Sequence, residues 1–208
     1  MDGHCDGHIR DSNLACREEL EEKPAVVAPT AGVSGRPITS KAEPPKSAAG
    51  FDFGSDPAKV RKDCEVAGYT WTAPSEKTGV CSGPATDVGF AASVRVDFCD
   101  GKSCRVTLVH RPESRWAAIF TDLRESLTKK YGEPRLLSGS VPEECRETAK
   151  FMECLEDGSL RMQFAWSWST REHIDLSLGK PAKGTGPVAI RIRYDHPTDT
   201  VHSNVDAL

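Results

Sequence analysis

The stretch VRVDFCDGKSCRVTLVH, residues 94–110, decides the architecture. Val94, Val96 and Phe98 alternate with Arg95 and Asp97, and Val106 and Leu108 alternate with Arg105 and Thr107. A period of two marks half-buried strands, with one apolar face and one polar face. An Asp-Gly pair between two such runs marks a hairpin turn. Antiparallel strands are therefore expected over residues 93–98 and 104–110.

The two cysteines at the turn pose a problem. A loop at Gly101-Lys102, with Gly first as a type II′ turn prefers, sets Cys99 opposite Cys104, with Cα atoms about 4.5 Å apart and within disulfide reach. Side-chain alternation objects, because it puts Cys99 on the polar face and Cys104 on the apolar one. A bulge between Phe98 and Val106 would reconcile the two. Without a bulge, Cys64–Cys104 and Cys81–Cys99 is the competing connectivity. Four residues between the cysteines argue against a zinc knuckle or a redox pair, which want two.

Upstream, Asp56 and Pro57 form a strong helix start, as N-cap and first helical residue. Val60, Cys64 and Ala67 share one face, and Gly68 ends the helix. A short strand follows near Val80-Cys81. Downstream, Trp116, Ile119, Phe120, Leu123 and Leu127 recur at helical spacing, predicting a helix over 114–131 that Gly132 and Pro134 stop. Strands are then expected over 149–155, 160–168, 173–178 and 188–194. In the last, Val188, Ile190, Ile192 and Tyr194 point inward and Arg191 and Arg193 outward.

The order is helix then strands, twice. Asp-Gly recurs in CDGKSCRVTL and CLEDGSLRMQF, in each case read as a turn between strands. The fold class is α+β, with two tandem helix-then-antiparallel-strand units over 51–112 and 113–197 whose strands can share one sheet. Residues 1–23 read as a tail with marginal helical character. Residues 24–50, rich in Pro, Ala and Ser, read as a linker, and 198–208 as a flexible end.

Composition excludes several classes. A net charge of −4 and a pI near 5.9 argue against general nucleic-acid binding, which wants a basic face. No run of about 18 apolar residues is present to span a membrane. Eight cysteines, six of them between residues 64 and 154, point to disulfides and an oxidising compartment. The first 23 residues lack the basic and apolar regions of a signal peptide. An upstream start, a removed signal or reduced cysteines would each account for that. Cys145–Cys154 is an expected pair, and Cys64, Cys81, Cys99 and Cys104 are candidates for two more.

Other clusters carry less chemistry. His4, Cys5, His8 and Cys16 are four potential zinc ligands at a spacing that fits no finger. His110, His173 and Asp175 come with no nucleophile or metal signature, so solvent-facing strand residues account for them. Glu143, Glu144, Glu147 and Glu153 read as a solvated acidic loop. Met162, Phe164, Trp166 and Trp168 alternate along one strand, which fits core packing; two bare Trp would instead make a binding platform. Arg161, Arg171, Arg191 and Arg193 form a candidate basic stripe for an acidic partner.

The succession of FGSDPAKV (53–60), AGY (67–69), FCDGKSC (98–104) and YGEP (131–134) resembles small exported bacterial helix-plus-antiparallel-sheet domains such as the beta-lactamase inhibitor protein, a tandem repeat. The resemblance covers residues 51–195 in order of elements. It implies a secreted binding module. The expected function is therefore a non-enzymatic exported domain that binds another protein or an envelope component through an open sheet face, without metal or cofactor. The alternatives are a hydrolase-type enzyme with a site dispersed in sequence, and a cytosolic protein with reduced cysteines.

Overall fold

The computed structural model describes residues 39–83, 92–139, 141–181 and 186–197. His4, Cys5, His8, Cys16 and the segments 1–38 and 198–208 lie outside the described residues.

Asp56 opens helix α1 (Pro57–Val66), its carboxylate accepting the Lys59 N–H at 2.9 Å. That satisfies one of the donors every helix start leaves unpaired. Val60 and Cys64 are fully buried. Tyr69 N–H donates to Cys64 O and Gly68 N–H to Glu65 O, with Gly68 at φ +81°. This is a Schellman closure, and it needs the positive φ that glycine supplies. Ahead of α1, β1 (Ser47–Ala48) and β2 (Phe51–Asp52) form a tight hairpin that buries Phe51.

Four antiparallel strands follow: β3 (Thr70–Ser75), β4 (Thr78–Ser82), β5 (Ala92–Cys99) and β6 (Lys102–His110). Next come helix α2 (Trp116–Tyr131), β7 (Arg135–Ser138), a 3-10 turn at Glu143–Arg146 and helix α3 (Thr148–Asp157). The described chain closes with β8 (Met162–Ser167), β9 (His173–Gly179) and β10 (Ala189–Asp195). The eight larger strands make one antiparallel sheet in the order β3-β4-β5-β6-β10-β9-β8-β7.

The hairpin that opened the reading contains the bulge. Cys99 pairs with Lys102, so the loop is Asp100-Gly101, not Gly101-Lys102. Both loop residues have positive φ, +50° and +73°, which is the type I′ pattern, not type II′. Phe98 pairs with Ser103 but Asp97 with Arg105, leaving Cys104 as the extra residue. Cys99 and Cys104 are disulfide-bonded with Cα atoms 5.7 Å apart. Cys64 joins Cys81 across α1 and β4, and Cys145 joins Cys154. The Cys64–Cys104 alternative falls, because the bulge brings Cys104 to its hairpin neighbour. Ser103, 1% exposed, ties this tip to the chain before α1: its hydroxyl accepts from Ser55 N–H and donates to Asp52 O.

Other expectations fail too. Residues 149–155 are helical: in α3, Phe151, Cys154 and Leu155 recur at the helix period, not alternately. Asp157-Gly158 therefore ends a helix, with Gly158 at φ +87°, and does not turn a hairpin. Strands β3 and β7 carry no clear strand pattern, since Pro74 interrupts one and consecutive Leu136-Leu137 break alternation in the other. Both are sheet edges, where such residues are tolerated. Within the span read as a linker, residues 39–50 lie on the folded body. Ser40 donates to Tyr131 O, and Trp168 Nε1–H donates to Ala42 O at 2.6 Å.

One apolar cluster joins all three helices to one sheet face. Val94, Val96, Val106, Leu108, Ile174, Leu176, Leu178, Ile190 and Ile192 point into it. Trp166 and Trp168, 1% and 7% exposed, are core residues and not a surface platform. Their indole N–H groups find backbone carbonyls, as buried indoles require. At the β3 edge, the Trp71 ring occupies the space beside Gly79, where a Cβ would come within 1.8 Å of it.

Candidate functional site

The opposite face of the sheet carries no helix among the described residues, and alternation makes it polar. Register aligns Thr78, Asp97, Arg105, Asp195 and His173 in one cross-strand row. The next row holds Arg95, Thr107, Arg193 and Asp175. Opposite charges on neighbouring strands stabilise each other, and here they interlock. Arg95 Nε lies 2.8 Å from Asp97, and Arg105 bridges Asp97 and Asp195. Arg193 binds Asp175 and, at 2.8 Å, Asp195. His173 Nε2 is 2.7 Å from Asp195 and 3.4 Å from Asp175.

The network sets its own protonation. Hydrogen bonds to Asp175 and Asp195 push His173 up to about 9. Burial works against that rise, and the Arg193 guanidinium lies 2.9 Å from the same nitrogen. For Asp195, burial acts to raise the pKa, but hydrogen bonds from His173 and Arg105 and the Arg193 charge outweigh it and hold it near 2.

His173, Asp175 and Asp195 bring potential metal-ligand atoms within 4.8 Å of one another. Arg193 and Arg105 already neutralise these carboxylates, so a divalent cation would have to displace a guanidinium. The donor set fits an ion-pair lattice better than a metal centre. His173 Nε2 is also held by Asp195, Asp175 and Arg193, and this opposes a role as general base. Two described cavities, of about 250 and 530 Å³, are lined by residues such as Ser40 and Tyr131, and Arg124 and Phe164. Neither includes His173, nor does either include His110, which is 8% exposed.

The four arginines expected to form one stripe separate. Arg193 is ion-paired, and Arg171 sits on the β8–β9 turn at φ +76°. Arg161 and Arg191 remain on the outer face, where Arg111 joins them. The sequence reading missed Arg111, although counting alternation one step past His110 would have placed it. Glu143 and Glu147 pair locally with Arg146 and Lys150.

Compared with known protein families, curated proteins and solved structures, the chain matches none.

Proposed function

We propose that this chain is a non-enzymatic binding domain whose helix-free sheet face docks another protein or an envelope component. The observation that carries the reading is that face. Eight strands present a broad polar surface whose central charges are fixed by mutual pairing. A surface held rigid before contact loses little side-chain entropy on docking. Three disulfides support an exported setting, since such bonds persist in oxidising compartments. Eight free thiols on protein from its native host would remove export from the reading.

The tandem organisation, like the likeness to inhibitor-type helix-sheet repeats, belongs to the same proposal. Its support is the strand order. The four strands after α1 and the four after α2 each run consecutively, and their last members, β6 and β10, pair at the centre.

A photo-cross-linking residue at Thr107, on the outer face, tests the docking role against one at Lys129 on α2. In extract of the native host, Thr107 gives a discrete adduct that excess unlabelled protein competes away, and Lys129 gives none. Absence of a competed adduct at Thr107 overturns the reading.

A further inference from the structure

The outer face is electrically divided. Toward one end, Arg95, Arg105 and Arg193 are matched by Asp97, Asp175 and Asp195. Toward the other, Arg111, Arg161 and Arg191 have no carboxylate within ion-pair distance among the described residues. Arg111 follows β6 directly and Arg161 precedes β8, and alternation sets both on the outer face beside Arg191 of β10. Ala189, fully buried, and Gly179 lie between them. Neither carries a charge, and the Arg191 guanidinium lies over their carbonyls.

Arg191 is held in place without being neutralised. Its guanidinium donates to Gly179 O at 2.7 Å, Pro187 O at 2.8 Å and Ala189 O at 3.4 Å. Carbonyls satisfy donors but cancel no charge, and five donors on the fork leave some free. Arg161 likewise meets a neutral partner, Gln163 Oε1 at 3.1 Å. Burial, then the positive charges of Arg111 and Arg161, hold the pKa of Arg191 down, so Arg191 feels both neighbouring cations.

We infer that this end of the sheet is the recognition pole, and that it takes a carboxylate-rich segment of a partner protein. Strands β6, β10, β9 and β8 lie side by side, so the arginines span roughly 14 Å at the usual strand spacing. That span exceeds a single phosphate and suits several successive Asp or Glu side chains, each able to meet a guanidinium bidentately. Charge complementarity names the occupant: an acidic segment relieves repulsion that nothing described in this chain relieves. The inference rests on the sheet-face reading above and deepens it.

The test uses the full chain with octaglutamate and octalysine peptides at low salt. Octaglutamate is expected to shift backbone amide NMR signals around Arg111, Arg161 and Arg191, and octalysine to leave them. R111Q/R161Q, which spares the carbonyl bonds of Arg191, weakens octaglutamate binding about tenfold. K129Q/K130Q, with the same loss of charge on α2, leaves it unchanged. Shifts centred on Arg95 and His173, or equal weakening by both double variants, overturn the inference. Tighter binding to phosphatidylglycerol vesicles than to octaglutamate also overturns it. A competed Thr107 adduct that survives R111Q/R161Q leaves the docking face standing and sinks the acidic pole alone.

Discussion

The two ends of the sheet solve one problem differently: how to fasten a helix to strands. In the first half, α1 spans 10 residues and offers two fully buried anchors, Val60 and Cys64. Its seam is covalent, through Cys64–Cys81. In the second half, α2 spans 16 residues, and the seam is aromatic. Phe120 packs on Phe164 with ring centres 6.0 Å apart, Tyr131 meets Trp168 edge-on at 5.5 Å, and Trp166 reaches Gly132 O at 2.7 Å. The disulfide there, Cys145–Cys154, fixes the 3-10 turn to α3 and leaves α2 alone. A short helix with small contacts needs a bond that limits the unfolded chain; a longer one with large rings holds by packing.

The comparison breaks first at Trp166. Trp166→Ala is expected to lower stability by about 4 kcal/mol in urea unfolding, through lost burial and a cavity. A loss no greater than that of a surface substitution would show that the aromatic seam is not what fastens α2. Next, C64A/C81A lowers stability by about 3 kcal/mol, and C145A/C154A by about 0.5 kcal/mol less, since its loop is shorter. The reverse ranking in unreduced samples would contradict the assignment of the covalent seam to α1.

The smallest effect is electrostatic and lies in the second half. His173 holds its proton more tightly folded than unfolded, so protonation stabilises the fold below about pH 6.5 and that contribution fades as pH rises to about 9. Asp195 acts oppositely: its contribution is present above about pH 4 and fades as pH falls toward 2. With partial exposure screening the pair, H173Q should remove about 1 kcal/mol of the alkaline dependence. An unchanged pH profile for H173Q would show that another group governs it.

Much of this organisation was legible in local signals. Asp56-Pro57 and the spacing of Val60 and Cys64 specify α1 without tertiary information. Strand alternation separates inward Val94 and Val96 from outward Arg95 and Asp97. Residues 149–155 are the ambiguous case: Phe151, Met152, Cys154 and Leu155 satisfy a helix, yet so short an apolar run also fits a strand. The candidate site was less legible. Alternation puts Arg191 and Arg193 on the same face, yet one is neutralised and the other is not. That difference depends on which residues β9 and β6 bring alongside. Cross-strand register depends on turns and bulges far from either arginine.

The bulge at Cys104 carries one more consequence. Phe98 opposite Ser103 and Asp97 opposite Arg105 mean that this hairpin is one codon longer than its ladder requires. A chain lacking that codon would pair without interruption and keep Arg105 outward and Val106 inward. It would lose the cross-link to Cys99 and the carbonyl to which His196 N–H donates. Single-residue deletion, ordinarily ruinous within a strand, is here the length change the sheet can absorb.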